Sequence, residues 1–272
     1  MRIWHQSLTV LGDLPAYEEL MRAHIRRVVR PETEVVLHGM LPGTYPANYP
    51  GEDIAFRFLF TMHSLQWAVH ALNAEAGGFD AFAMCSLPDP MLAEVRTLVD
   101  IPVIGCGETC FQLAATHGRR FGMLLFIDRM AARYLQQIEE LGLSSFCAGV
   151  EPVGFRFNDV LDAFGNPGGI IDRFRTAARR LIAAGAEAII PGEIPLNVLL
   201  AAEGVEHVDG VPLIDSLAVT LKKAEAMVNS RTSGTPAPVR HGWSDEPPPR
   251  ERVLQVLDFY GLGKFLLHKG GK

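Results

Sequence analysis

The sequence predicts an α/β fold of two pseudo-symmetric halves, each a mainly parallel open sheet flanked by helices. Apolar runs alternate along the chain between strand length and helix length, as in βαβ units. Residues 78–90 and 185–196 also share one pattern: Gly, a short apolar stretch, a polar residue, and a proline that opens a helical stretch. Residues 99–104 (VDIPVI) are similar in sequence to residues 208–214 (VDGVPLI). An internal repeat of this kind predicts two structurally equivalent halves.

The first half is predicted over residues 1–118. Its apolar runs predict strands at 3–10, 33–40 and 102–105, a further strand within 78–90 that ends at Cys85, and helices at 14–29, 54–76, 91–99 and 109–117. A loop rich in Pro, Gly and Tyr, residues 41–53, precedes the second helix. This loop carries Tyr45 and Tyr49, and its length fits either a lid over a site or a segment packed on the surface.

The second half is predicted over residues 119–229. We expect strands at 120–126 and 146–153, a further strand within 185–196 that leads to Glu193, and helices at 131–141, 170–184 and 215–228. Residues 154–167, which contain Gly and Pro, are expected to form a loop.

The remaining residues, 230–272, have a different composition. A linker rich in Pro, Ser and Gly is followed by an amphipathic helix at 251–260. The tail is interpreted as a tether with a docking helix, or as a segment that covers a neighbouring subunit or the mouth of a site.

Composition excludes several classes of function. The 272 residues carry a net charge of −6 with Lys and Arg scattered, which argues against nucleic acid as a partner. No apolar stretch is long enough for a membrane helix, and the first ten residues do not resemble a signal peptide, so a cytoplasmic location is expected. Four cysteines are few for this length and are interpreted as reduced thiols.

The two repeated segments end in different reactive groups, Cys85 and Glu193. Each follows a buried strand and precedes a helix, where α/β enzymes place catalytic side chains, and a helix dipole would favour the Cys85 thiolate. Cys85 could instead be a small buried residue of the core, and Glu193 a first-turn acid that stabilises its helix.

Candidates for substrate binding come from the ends of the other strands, because open α/β sheets bind ligands at their carboxyl edge. The candidates are Gln6, Ser7, His38, Ser86, Glu108, Thr109 and Asp215, with His5 and Ser216 beside them. Cys106 and Cys110 offer too few ligands for a metal site, and the glycine-rich segments 105–107 and 165–169 lack a phosphate-binding signature. We therefore expect no metal and no cofactor.

Several segments resemble the aspartate/glutamate/hydantoin racemase superfamily. They are AMCSLPDP, PVIGCGET, RRFGMLLF, GAEAIIPGE and VPLIDSLA, and together they lie between residues 1 and 229. The resemblance implies cofactor-independent chemistry at the α-carbon of a small carboxylate or cyclic amide, in a site between two halves that each supply a cysteine. It also implies a homo-oligomer.

One position departs from that family: Glu193 stands where the resemblance predicts a second cysteine. A two-cysteine racemase needs two groups of similar basicity, whereas the ordinary pKa values of Glu and Cys differ by about four units. Burial that raises the pKa of Glu193 would narrow the difference. The first hypothesis is a racemase or isomerase with an asymmetric Cys85/Glu193 pair. The alternatives are a thiol-dependent hydrolase or lyase, decarboxylases included, and a binding protein without catalysis.

Overall fold

The computed structural model describes residues 1–47, 49–117, 120–236 and 239–267. Its first sheet has four parallel strands in the order β2-β1-β3-β4. They are β1 (Arg2–Ser7), β2 (Glu34–His38), β3 (Ala81–Cys85) and β4 (Val103–Gly105). The central strands β1 and β3 are almost wholly buried. This burial explains the continuous apolar sequence of β3 (AFAMC), whereas β1 (RIWHQS) also buries the polar His5, Gln6 and Ser7.

The second sheet repeats this arrangement. Strands β5 (Phe121–Leu125), β6 (Cys147–Pro152) and β7 (Ala188–Pro191) are parallel in the order β6-β5-β7. A parallel bridge between Ile189 and Leu213 adds the next segment beside β7, in the place that β4 has beside β3. The α/β class with two parallel sheets is therefore confirmed.

Ten α-helices flank the sheets in the described parts of the chain. They are α1 (Pro15–Val28), α2 (Arg57–Ala76), α3 (Leu92–Leu98), α4 (Cys106–His117), α5 (Ala131–Glu140), α6 (Phe157–Asp162), α7 (Gly168–Ala183), α8 (Ile194–Ala202), α9 (Ser216–Thr232) and α10 (Arg250–Phe259). The helices α4 and α9 pack on each other, and each also contacts strands of the other half. The two halves are thus joined by two helices, each of which packs on the sheet of the other half.

Two segments differ from the prediction. Residues 154–167 contain the short helix α6, whose first turn is closed by the Arg156 amide donating to Asp159 Oδ2 at 2.8 Å. Six residues between a Gly and a Pro are too few to show helical periodicity. Residues 208–214 are interrupted by a turn with positive φ at Asp209 (49°) and Gly210 (83°), and two short antiparallel strands, β8 (His207–Val208) and β9 (Val211–Pro212), flank it.

The core is continuous between the halves. One apolar cluster contains Ile3 of β1 and Ile190 of β7, and a second cluster covers the opposite face of the second sheet, because Leu124 and Ile189 point to that side. The boundaries at residues 118 and 229 remain a prediction.

The tail docks on the first half. Leu257 of α10 is buried, and the Asn73 side chain donates to Phe265 O at 3.0 Å and accepts from the Leu267 amide at 2.8 Å. Arg240 also contacts the Asp100 carboxylate. Across the described residues, none of the helices combines the length and the apolar character that a bilayer span requires.

Candidate active site

Glu193 occupies a tightly wound tip between β7 and α8. A β-carbon at Gly192 would lie 1.5 Å from the carbonyl oxygen of Leu124, so the tip tolerates only glycine there. The next residue, Glu193, has φ 72° and ψ 129°, a conformation that side chains rarely adopt. Such strained backbone is typical of residues held in place for a function. Pro195 in the first turn of α8 then fixes the direction of the helix.

A cavity of about 750 Å³ opens in front of Glu193 at the carboxyl edge of the second sheet. Most of its wall comes from the segment after β5 and from the segment that runs from the end of β6 into α6. The lining residues of these two segments are Phe126, Ile127, Asp128, Arg129, Pro152, Gly154, Phe155, Arg156, Phe157, Asn158 and Asp159. The rest of the wall comes from residues 49–52, 54 and 55 of the first half. The cavity thus lies between the two halves.

The loop with Tyr49 crosses from the first half to the second. The Tyr49 ring stacks on Phe157 with centroids 4.6 Å apart and planes inclined by 16°, and Asn158 Nδ2 donates to Tyr49 Oη at 2.9 Å. Tyr45 is buried and packs against His63 instead. The Tyr49 end of the loop therefore forms part of the cavity wall. A movement of this loop as a lid stays a prediction, and residue 48 lies outside the described residues.

Cys85 ends β3 and is 3% exposed. It lies opposite Ser7 in the pairing of β3 with β1, so the two side chains share a face of the sheet. Burial raises the pKa of the Cys85 thiol well above its usual value, and nearby Cys106 and Asp89 add to this effect. The expected low thiol pKa is therefore wrong. Helix α3 begins at Leu92, too far along the chain for its dipole to favour a thiolate at Cys85.

Two buried tyrosines, Tyr17 and Tyr134, lie near Glu193. Tyr17 is close enough to both Cys85 and Glu193 for their negative charges to raise its pKa, after burial as the main cause. Tyr134 lies beside Glu193, and burial again is the main cause of its raised pKa. Tyr17 is near the start of α1, which follows β1, and Tyr134 is near the start of α5, which follows β5. The tyrosines therefore hold equivalent places in the two halves.

Glu193 is half-buried, with its carboxyl oxygen Oε1 out of contact with water. This burial raises its pKa from 4.5 to about 7, with the Tyr134 hydroxyl partly offsetting the effect. At neutral pH the group is thus close to half ionised, which suits a residue that both accepts and donates protons. The thiol of Cys85 does not line the cavity in front of Glu193. Tyr17, which is near both Cys85 and Glu193, packs edge-on against Phe157 of the cavity wall.

Residues 48–224 match the family described as Asp/Glu/hydantoin racemase. The chain belongs to this racemase family. Its curated relatives include the hydantoin racemases of Pseudomonas sp. (strain NS671), 28% identical over 160 residues, and of Rhizobium meliloti, 27% identical over 166 residues. These alignments cover 58% of the chain and 61% and 64% of the relatives, so the match spans less than two thirds of their length.

The fold of this racemase-family chain is similar to that of solved relatives. The allantoin racemase from Klebsiella pneumoniae superposes with a TM-score of 0.70 at 21% identity, covering 89% of this chain and 96% of the other. At this identity the likeness concerns the fold.

Among the other predicted site residues, those of β1 and β2 point in different directions. Ser7 faces the Cys85 side, where its Oγ lies 2.8 Å from Thr9 Oγ1. Gln6 points to the opposite face and accepts from Trp4 Nε1 at 3.0 Å. His38 stacks on the same Trp4 ring, with centroids 3.3 Å apart, and burial lowers its pKa to about 4. Gln6 and His38 thus form a cluster around Trp4, away from Cys85.

The segment that follows Cys85 connects to the start of α4. Ser86 is buried next to Cys85, and Asp89 accepts from the amides of Gly107 (3.1 Å) and Glu108 (2.7 Å). Burial raises the pKa of Asp89 to about 7. Glu108 forms a two-pronged ion pair with Arg96 at 3.0 and 2.6 Å.

Glu108 and Arg96 line a second cavity of about 440 Å³, apart from the one in front of Glu193. Thr109 Oγ1 in the first turn of α4 donates to the carbonyl oxygen of Gly105, the last residue of β4, at 2.6 Å. These two predicted binding residues therefore hold the start of α4 and have no contact with the Glu193 cavity.

Asp215 caps α9 by accepting from the Ala218 amide at 3.0 Å, and its Oδ2 lies 2.8 Å from His24 Nε2. Burial alone would raise its pKa, but the contacts with His24 and Ala218 outweigh burial and lower it. Cys106 and Cys110 are buried, with sulfurs 3.7 and 3.9 Å from the Ser216 carbonyl oxygen. Within the described ranges, no three His, Cys, Asp or Glu side chains group as metal ligands would.

Proposed function

We propose that the protein is a cofactor-independent racemase or epimerase that acts at the α-carbon of a small carboxylate, amino-acid derivative or hydantoin-like ring. Glu193 and Cys85 are its catalytic pair. The observation that carries this proposal is the buried Glu193 carboxyl, with a pKa of about 7, on a strained tip that faces a cavity between the halves. Membership in the racemase family supports the reaction class.

The two groups have unequal roles in this mechanism. Burial raises the pKa of both groups, so the difference between them persists. At neutral pH Glu193 is partly a carboxylate and Cys85 is a thiol. The resting protein therefore has Glu193 ready as the base and Cys85 ready as the proton donor on the opposite face of the α-carbon. The reverse reaction needs the thiolate and the carboxylic acid, which is the less favoured pair of states.

The substrate reaches Glu193 from the cavity, whereas the Cys85 thiol does not line that cavity. Tyr17 lies near both groups. A substrate that contacts both catalytic groups therefore needs side chains around Cys85, such as Tyr17, to move. A hydrolase that attacks with a Cys85 thiolate is less well supported, because the thiol is buried and its pKa is raised.

Isotope exchange tests the proposal. Each enantiomer of allantoin, of several 5-substituted hydantoins and of aspartate and glutamate is incubated with the protein in deuterated water, and loss of the α-proton is followed by NMR. We expect exchange for at least one compound, at different rates from its two enantiomers. Glu193→Gln and Cys85→Ser abolish racemisation, whereas the control Cys147→Ser, away from the cavity, retains it.

The variant Glu193→Cys has two thiols of similar basicity as the catalytic pair. We expect its rates of α-proton exchange from the two enantiomers to be more nearly equal than in the wild type. Equal rates in the wild-type protein that stay unchanged in Glu193→Cys would contradict the role of Glu193. Absence of exchange from the whole panel would contradict the proposed reaction on these substrates.

A further inference from the structure

We propose that Tyr134 is the positioning residue of Glu193, and that its buried hydroxyl holds the Glu193 carboxyl in place as a hydrogen-bond donor. The inference deepens the proposed function and rests on it. Tyr134 itself is separated from the reacting atoms by Glu193, so it acts through that carboxyl.

Tyr134 and Glu193 each have a buried oxygen that lacks a hydrogen-bond partner in the described part of the chain. Tyr134 is fully buried on α5, and neither Tyr134 Oη nor Glu193 Oε1 has a hydrogen-bond partner of good geometry among the described residues. A buried hydroxyl or carboxyl without a partner costs about 1–3 kcal/mol. The two groups are neighbours close enough for the hydroxyl to act on the ionisation of the carboxyl. Each is therefore the available partner of the other.

The backbone at Gly192 and Glu193 fixes only part of the Glu193 side chain. The Gly192–Leu124 contact and the positive φ of Glu193 fix the direction in which the side chain leaves the backbone, but they leave its terminal torsions free. A donor on the neighbouring helix removes this freedom. Helix α5 supplies it at the same place where α1 supplies Tyr17 in the other half.

The effect on proton transfer follows from the chemistry of a phenol. A hydroxyl that donates to a carboxylate favours its charged form and lowers its pKa, against the effect of burial. Without Tyr134, burial acts alone and Glu193 becomes a neutral acid at pH 7, able to donate a proton but not to accept one. Tyr134 thus keeps the residue able to alternate between both states.

Other charged or titratable groups line the same cavity as Glu193 or lie near it, and each could also affect its pKa. They are Tyr17 from α1, Glu52 from the first-half loop, Asp128 and Arg129 after β5, and Arg156 and Asp159 after β6. The side chains of Arg129 and Arg156 are exposed, so water screens their effect on the buried carboxyl.

Tyr17 provides a matched control. Tyr17→Phe and Tyr134→Phe each remove one oxygen from a buried phenol beside Glu193. Tyr134 acts on the Glu193 carboxyl through its hydroxyl, whereas the Tyr17 hydroxyl does not bond to it. A general effect of lost packing or polarity would therefore appear in both variants, and a positioning effect in Tyr134→Phe alone.

The test is a titration that needs no turnover. Protein labelled with ¹³C at the glutamate carboxyl carbons is followed by NMR from pH 5 to pH 9, and Glu193→Gln identifies the Glu193 signal. We expect a midpoint near 7 in the wild-type protein. It should rise by about one pH unit or more in Tyr134→Phe and remain in place in Tyr17→Phe. An unchanged midpoint in Tyr134→Phe, or an equal shift in both variants, would overturn the proposal.

If Tyr134→Phe fails to fold, 3-fluorotyrosine at position 134 gives the same information. Its hydroxyl is a stronger donor, so the Glu193 midpoint should fall, and an unchanged midpoint would contradict the proposal. Because the titration is independent of catalysis, a shift without racemisation would retain the role of Tyr134 and reject the proposed reaction.

Discussion

The α-carbon of Gly192 packs directly against the carbonyl oxygen of Leu124, and any β-carbon at position 192 would lie 1.5 Å from that oxygen. Leu124 pairs with Pro191 in the register of β5 and β7, so this contact continues the sheet up to the reactive tip. The position of Glu193 is therefore set by two central strands of the second half. A catalytic side chain on such a tip moves little.

Gly192→Ala is expected to destabilise the protein by more than about 4 kcal/mol, because the clash is with backbone that cannot rotate away. The control is Gly169→Ala in α7, where a β-carbon meets nothing within 4 Å. Alanine is the better helix former, so the control should stabilise the protein by about 0.5–1 kcal/mol. Urea unfolding measures both, and a Gly192→Ala protein as stable as the wild type would contradict the tight packing of this tip.

The cysteines should react in an order that their burial sets. Cys147 is half-buried at the start of β6, whereas Cys85, Cys106 and Cys110 are buried. Because thiolates are the reactive form and burial raises the pKa of the Cys85 thiol, we expect iodoacetamide at neutral pH to label Cys147 first. Peptide mapping by mass spectrometry measures the order.

Labelling of Cys85 as fast as Cys147 would show that the site opens readily in the absence of substrate. A substrate or inhibitor that changes only the rate at Cys85 would place its binding site beside that thiol.

The sequence pointed to Cys85 and Glu193 because each follows a buried strand in one of two repeated segments, and the structure places both where β3 and β7 end. Their catalytic roles stay a prediction. It did not reveal Tyr17 and Tyr134, since an aromatic residue on the apolar face of a helix looks the same whether it only packs or also lies beside a reactive group. Their equivalent places near the starts of α1 and α5 were the available signal.

The sequence also did not reveal to which face of the sheet each polar side chain points. Gln6 and Ser7 are adjacent in sequence at the end of β1, yet they point to opposite faces of the sheet because side chains alternate along a strand. Nearness to a strand end therefore selected both, although only Ser7 faces Cys85. The burial of Cys85 likewise depends on contacts from distant segments, which local pattern does not contain.

Stability should depend on pH through Glu193. Its folded pKa is about 7, above the ordinary 4.5, so the folded protein binds more protons than the unfolded chain between these values. The contribution is fully present below about pH 4 and is lost as the pH rises through about 7. Relative to the wild type, Glu193→Gln should therefore gain stability on going from pH 4 to pH 8.5, by on the order of 3 kcal/mol. Asp89, whose pKa is raised to about 7 by burial, adds the same trend to both proteins and cancels in the comparison.

Urea unfolding at several pH values measures this gain, with Glu139→Gln as the control. Glu139 is an exposed carboxyl on α5, and its removal should change stability little at either pH. A difference between Glu193→Gln and the wild type that does not vary with pH would contradict a raised pKa at Glu193.

The loop that carries Tyr49 should control substrate binding. Tyr49→Phe removes the hydrogen bond from Asn158 but retains the stack on Phe157, whereas Tyr49→Ala removes both contacts. We expect KM to rise slightly in the first variant and about 3- to 10-fold in the second, since an aromatic pair contributes about 0.5–1.5 kcal/mol. Because Tyr49 lies on the wall and does not touch Cys85, kcat should change less than KM. Tyr260→Ala, an exposed ring on the tail, is the matched control and should leave both constants unchanged. An unchanged KM in Tyr49→Ala would show that this part of the loop packs on the surface without taking part in binding.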